Sequence, residues 1–211
     1  MLNDPKEIEI ISKARQKNVR DPKRSREHFY RIFNDFFVGV TFEKGQYIDL
    51  GAGQFDFCEI IKNNNGFCTG VDNDPAVIEL GIYKQFDVIQ ADIKKISKIN
   101  ILHKFDGVFN KFSLNAFWFW TDDSEHELLI DSIANLVKPG GWAWIAPWNG
   151  IPKHTYINKE DVTTVLDLQK RFFAKHGFTY ISLDIKKSKY YGINGNIANN
   201  IIFLKNLTWK G

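Results

Sequence analysis

Tyr47-Ile48-Asp49-Leu50-Gly51-Ala52-Gly53-Gln54-Phe55, YIDLGAGQF, decides the fold, together with Gly70-Val71-Asp72 downstream. A short apolar strand carries an acid and runs into a glycine turn. A second acid closes the next strand about one βαβ unit later. Gly51 and Gly53 let the backbone turn sharply and let a ligand approach it closely. A helix starting near Gln54 adds partial positive charge at the same point. This arrangement suits a nucleoside-bearing ligand.

Outward from that stretch, strands and helices alternate. Strands are expected over Tyr47–Leu50, Phe67–Asp72, Phe86–Gln90, Phe105–Asn110 and Trp142–Ala146. Helices are expected over Phe55–Asn63, Pro75–Tyr83, Ser124–Val137 and Asp161–Lys175. Lys138-Pro139-Gly140-Gly141 and His176-Gly177 stop the last two. Phe178–Ile185 and Ile197–Leu204 read as a closing hairpin across Tyr190–Asn196. Upstream, Lys6–Lys17 has helical spacing and Asp21-Pro22 breaks it. Ser25 could cap a second helix whose stripe of Phe29, Ile32, Phe33, Phe36 and Phe37 is expected to pack on the sheet.

The pattern predicts an α/β fold with a mainly parallel seven-stranded sheet, an antiparallel edge strand and an N-terminal helical cap. The cap is expected over residues 1–40 and the α/β domain over 41–211. In such sheets ligands lie beyond the carboxyl ends of the strands. The polar residues after Leu50, Val71, Gln90, Phe109 and Ala146 are therefore expected to converge on one crevice.

Composition sets the class. The 211 residues carry a net charge of +3, too mild to imply nucleic acid by itself. No apolar run reaches membrane-spanning length, and the start lacks the basic-then-apolar order of a secretory signal. The two cysteines, Cys58 and Cys68, make neither a disulfide framework nor a metal site. They read as reduced, buried residues of a cytoplasmic protein. From Lys13 to Arg26 the sequence is KARQKNVRDPKRSR, with Asp21 the single acid. This is either a solvated linker or a basic lip for an anionic substrate.

A nicotinamide dinucleotide fits the glycine turn poorly. Its G-x-G-x-x-G/A fingerprint needs a small residue where Asp56 stands, and Asp49 would face a pyrophosphate unfavourably. An acid there suits a ligand with a cationic end. From roughly Gln46 to Pro147 the chain resembles the class I S-adenosylmethionine-dependent methyltransferases. Ile48–Gly53 looks like that family's first motif, Gly70-Val71-Asp72 its second and Gln90-Ala91-Asp92 its third. Phe105–Phe109 looks like its fourth strand, and Leu136–Gly141 like its turn into the fifth.

The resemblance implies a Rossmann-like, doubly wound fold and S-adenosyl-L-methionine as cofactor; no cysteine–histidine or carboxylate cluster in the sequence suggests a metal requirement. It implies that Asp49 orients the methionine amino group, that Gly51 and Gly53 leave room for methionine and ribose, and that Asp72 accepts from both ribose hydroxyls. Asp92 would accept from the adenine amine, Ile93 would pack near the ring, and Asn110 would line the methionine end. Two departures stand out. Phe55 replaces a frequent third glycine and is expected to narrow or reshape the turn, and Asn73 stands where an apolar residue often covers adenine.

Substrate residues are expected after the fourth and fifth strands. Asn110 is followed by Lys111 and Phe112, so the Asn/Asp-Pro-Pro-aromatic motif of adenine and glutamine methylating relatives is absent. Asn115 and Trp118 are candidates for the substrate wall, as are Trp148 and Asn149, although both aromatic stretches also suit ordinary packing. Lys111 is a candidate for orienting an anionic acceptor. A hydroxyl acceptor benefits from a base, and of the five histidines His28 and His154 are the candidates. His126 is expected on an exposed helix start, His103 and His176 in loops. The leading expectation is methyl transfer to a small molecule, such as a hydroxyl of a sugar, glycan precursor or related metabolite. RNA or protein methylation and a non-catalytic cofactor-binding or scaffold subunit are the alternatives.

Overall fold

The computed structural model describes residues 4–14, 22–36, 41–99, 101, 103–111, 113, 123–146, 167, 170–183 and 200–205. The chain divides into two compact units, one reaching to Ile93 and the other running from Lys94.

The first unit holds α1 (Pro5–Ser12), α2 (Pro22–Phe36), β1 (Gln46–Leu50), α3 (Asp56–Asn63), β2 (Phe67–Asp72), α4 (Pro75–Tyr83) and β3 (Asp87–Gln90). Its strands are parallel in the order β3-β2-β1, with Asp49 opposite Gly70, Leu50 opposite Val71, and Asp72 opposite Gln90. Tyr47, Ile48, Leu50 and Val71 are buried, as parallel strands covered by helices require. Phe57, Ile60 and Ile61 of α3 and Val77 and Leu80 of α4 supply the covering apolar faces.

The N-terminal helices pack on other helices. α1 lies against α4, and the Tyr83 hydroxyl donates to Asp4 at 2.7 Å. Its boundaries differ from the expected Lys6–Lys17: Asp4 caps it by accepting from the Lys6 N–H at 2.9 Å, with Pro5 in the first turn. α2 begins at Pro22, so Ser25 lies inside the helix and does not cap it. Phe29 and Phe33 pack against Phe57 of α3 at ring separations of 6.2 and 6.0 Å, and Phe33 meets Phe42 at 4.8 Å. The stripe expected on the sheet therefore covers α3 at these two positions. The side chains of Ile32 and Phe36, and the whole of Phe37, lie outside the described residues.

The second unit holds β4 (Phe105–Lys111), α5 (Asp123–Leu136), β5 (Val137–Ala146), β6 (Phe178–Leu183) and β7 (Asn200–Lys205). β4 and β5 are parallel, and β7 runs antiparallel to both β5 and β6. Phe105 pairs with Val137 and Gly107 with Trp142, so β5 advances five residues while β4 advances two. The Pro139-Gly140-Gly141 turn survives as this bulge, with Gly140 at φ 77°. Phe109 and Trp144 face each other at 4.4 Å in the core of this unit. Of the helix expected over Asp161–Lys175, residues 167 and 170–175 are helical and the remainder lies outside the described residues.

Phe55 shows how the first unit is locked. Its backbone is left-handed (φ 62°), and its fully buried ring stacks on Phe86 at 5.4 Å. A methyl group at Gly70 would stand 2.3 Å from Phe55 Cε1, and one at Gly81 would stand 2.3 Å from Phe55 Cζ. Two missing side chains thus make the slot that the ring fills. In an exposed helix, Gly→Ala gains about 1 kcal/mol. Gly81→Ala is expected to do the opposite, costing about 1–3 kcal/mol through overpacking. Urea unfolding checks the sign, and an unchanged or higher midpoint would refute the slot.

Candidate cofactor site

The turn from β1 into α3 is held at nearly every residue. Gly51 and Gly53 take φ values of 84° and 54°, which glycine adopts without strain. The N–H groups of Gly51 and Ala52 both donate to the Val71 carbonyl, at 2.7 and 3.0 Å. Gly53 N–H donates to Asp72 Oδ2 at 3.2 Å, and Phe55 N–H donates back to the Ala52 carbonyl at 2.9 Å. The Gln54 carbonyl accepts from Lys84 Nζ at 3.1 Å. The bend's shape is therefore fixed by the protein's own hydrogen bonds.

Asp72 is fixed in the same way. Its Oδ1 accepts from the Asp74 N–H at 3.0 Å while Oδ2 holds Gly53, and the residue stays half-buried. Each carboxylate oxygen has two acceptor positions, so both retain capacity for a diol. Asp74 caps α4 by accepting from the Ala76 N–H at 3.0 Å, which leaves Asp72 out of that role. Asp49 is 3% exposed at the Gly70 register position of β1. Asn73 is exposed just after β2. Ala91 N–H donates to the Asp72 carbonyl at 2.9 Å, carrying the chain on to half-buried Asp92 and to Ile93, which is buried at the start of a short 3-10 segment, Ile93–Lys98.

Seven of the expected cofactor residues thus gather at the carboxyl ends of β1, β2 and β3: Asp49, Gly51, Gly53, Asp72, Asn73, Asp92 and Ile93. Asn110, in the second unit, is buried near the end of β4, whose last residue is Lys111. His28 is buried on α2. Asn115, Trp118, Trp148, Asn149 and His154 lie outside the described residues. His126, expected on an exposed helix start, is instead 2% exposed on α5, because its face of the helix is the buried one. His103 is exposed beside Phe105, and His176 follows the helical residues 170–175 and meets Asp131 at 2.6 Å. Phe55, expected to narrow the turn, instead puts its ring against Gly70 and Gly81. Lys84, which the motif reading missed, reaches the bend from thirty positions along the chain.

The geometry fits an adenosyl amino acid. Among the described residues, a methyl group at Gly53 would meet nothing closer than the Gly51 carbonyl oxygen, 4.0 Å away, so none of them crowds the bend there. Carboxylates at Asp49 and Asp72 suit an ammonium group and a ribose diol. Among the described residues, no cluster of three or more His, Cys, Asp or Glu is placed to hold a metal ion, and no helix is long and apolar enough to cross a membrane.

The methyltransferase domain family matches residues 48–145. These residues form a class I S-adenosylmethionine-dependent methyltransferase domain. No curated protein matches the chain. Among solved structures it is similar to the sugar N-methyltransferase KedS8 of a Streptoalloteichus species, at 14% identity over 89% of each chain and a TM-score of 0.63. It is also similar to CalS10, an aminopentose methyltransferase from Micromonospora echinaspora, at 13% identity over 90% of this chain and 93% of that one, TM-score 0.62. The N-methyltransferase NodS of Bradyrhizobium japonicum, solved with S-adenosylhomocysteine, gives 12% identity over 92% of each chain and a TM-score of 0.58. At these identities the likeness shows the Rossmann-like α/β fold. The domain match makes the protein a methyltransferase, with S-adenosylmethionine as cofactor.

Cys58 of α3 and Cys68 of β2 sit within this unit as free thiols, their sulfurs 2.9 Å apart and both side chains buried. Burial pushes both thiols above the ordinary value of 9.0, and the nearby charge of Asp49 adds to the rise. An unfolded chain sheds these protons at lower pH than the native one, so native stability falls as pH climbs through the ordinary thiol value. Unfolding free energies from about pH 8 to about pH 10 are expected to drop more steeply for the native sequence than for Cys58→Ala/Cys68→Ala. Equal slopes would count against this environment.

Proposed function

We propose that this methyltransferase acts on a small molecule, with a hydroxyl of a sugar, glycan precursor or related metabolite as acceptor. The observation that carries the cofactor half of this reading is the open glycine bend flanked by two carboxylates, Asp49 and Asp72. In it Asp49 holds the methionine amino group, Gly51 and Gly53 admit methionine and ribose, and Asp72 accepts from the two ribose hydroxyls. Asn73 borders the ribose, Asp92 accepts from the adenine amine, Ile93 packs on the ring and Asn110 lines the methionine end. We further read the strands as one seven-stranded sheet with an antiparallel edge, in a domain over 41–211 with residues 1–40 as its helical cap.

When bound, S-adenosylmethionine supplies an electrophilic methyl group on a good leaving group. What remains for the protein is chiefly orientation of the acceptor in line with that methyl and exclusion of water. Lys111, Asn115, Trp118, Trp148 and Asn149 are assigned to the acceptor side, Lys111 for an anionic group and the aromatics for a sugar face. His28 or His154 would take the hydroxyl proton. The basic segment Lys13–Arg26 suits a phosphorylated or nucleotide-linked acceptor.

A second reading, methylation of a sugar amine, is favoured by the described activities of KedS8 and CalS10, which act on a sugar nitrogen and an aminopentose respectively. An unprotonated amine carries its own lone pair and makes less demand on a base. Transfer of labelled methyl from S-adenosylmethionine to a panel of nucleotide-linked neutral sugars, their amino counterparts and bulk RNA separates these cases. Labelling of RNA alone would overturn the small-molecule reading.

The site assignment has its own test. Asp72→Ala removes the diol acceptor and the Gly53 N–H partner together. It is expected to weaken S-adenosylhomocysteine binding at least about tenfold, with the far-ultraviolet circular dichroism retained. Calorimetric affinity equal to that of the native protein would move the ribose elsewhere.

A further inference from the structure

Lys84 follows the last turn of α4, and its side chain is only 7% exposed. A buried ammonium must find partners for its three N–H groups. Here one donates to the Gln54 carbonyl at 3.1 Å and another to Glu59 Oε1, with Glu7 Oε2 at 3.7 Å. Glu59, in the first turn of α3, also receives the Arg26 guanidinium from α2. Charged groups from α1, α2 and α3 therefore meet at the lysine that follows α4.

The contact to Gln54 matters because of the peptide it holds. The Gln54–Phe55 peptide is gripped from both sides: its N–H donates to Ala52, and its carbonyl accepts from Lys84. This peptide leads into left-handed Phe55, a conformation that costs a residue with a Cβ about 1–2 kcal/mol. Rotating it would change the backbone angles beside Gly53, the residue under the open space of the bend.

We propose that Lys84 is a positioning residue for cofactor binding. Its ammonium fixes the Gln54–Phe55 peptide, and so the Gly51–Phe55 bend, in the shape that receives S-adenosylmethionine. Through Glu59, which also receives Arg26, it ties that shape to α2. The proposal rests on the assignment of the cofactor to this bend.

Calorimetric titration of the full chain with S-adenosylhomocysteine tests it, beside thermal melts of every variant. Lys84→Met keeps the apolar stem and removes the donor, and is expected to weaken binding by about ten- to a hundredfold. Lys84→Arg, which keeps a charged donor, is expected to recover part of that loss. Glu7→Gln disturbs the same cluster without touching the bend. It is expected to lower the melting temperature while leaving affinity within about twofold of the native value.

Should Lys84→Met not fold, Lys84→Gln takes its place, with the same loss expected. Affinity within twofold of native in the neutral variant overturns the proposal. So does a loss in Glu7→Gln that matches the loss at Lys84, since the cluster would then act only through general stability. Native protein that takes up no S-adenosylhomocysteine overturns the cofactor assignment itself, a separate outcome from native binding with unchanged variants.

Discussion

Where the Phe55 ring goes governs the mouth of β1. Directed upward, it would fill the space over Gly53 where we propose the cofactor binds. It goes instead into the slot left by Gly70 on β2 and Gly81 on α4, roofed by Phe86. Burying a phenylalanine fully is worth about 1.5–3 kcal/mol, enough to offset about 1–2 kcal/mol for a left-handed backbone at a residue with a Cβ. Glycine at this position would relax the backbone but leave a cavity between strand and helix. One residue therefore sets the entry angle of α3, seals β2 against α4 and keeps the bend clear.

With the ring anchored, the rest of the bend is a hydrogen-bonding problem with few loose ends. The Val71 carbonyl takes two N–H groups, Asp72 takes a third, and Lys84 takes the outward carbonyl of Gln54. A turn so constrained has little conformational freedom left to lose on binding, which is the main way a small site gains affinity without more contact area. The same bonds join the bend to β2 and to the lysine after α4, so its shape is a property of the whole first unit.

Legibility followed sequence distance. The strands and helices between Gln46 and Gln90 could be read from alternating periodicity and glycine punctuation, as could the gathering of Asp49, Gly51, Gly53, Asp72 and Asp92 at strand ends, because each signal is local. Phe55 was misleading because its partners, Gly70 and Gly81, are informative only as a pair of absences facing one ring. Lys84 went unread, since nothing local says that its ammonium turns inward to a carbonyl thirty residues away. The α2 stripe was correctly apolar but assigned to the wrong surface: periodicity tells which face is buried, not what buries it. His126 failed for a related reason, since a histidine near a helix start is exposed only if its face is.

Electrostatics narrows the class of ligand beyond what shape can do. Between β1 and the end of β2 the unit presents Asp49, Asp56 and Asp72, and Asp49 is deeply buried. Asp56 opens α3, where the helix N-terminus stabilises a carboxylate, so the partial positive charge that a dinucleotide's pyrophosphate would seek is already answered by the protein. Bringing a doubly charged phosphate bridge beside these carboxylates would add repulsion in a poorly solvated place. A ligand whose near end carries an ammonium and a sulfonium reverses the sign of that term. Its ribose asks only for acceptors, and Asp72 holds acceptor oxygens in a fixed position. The acids around the glycine bend thus select against one nucleoside cofactor by the same charge that favours the other.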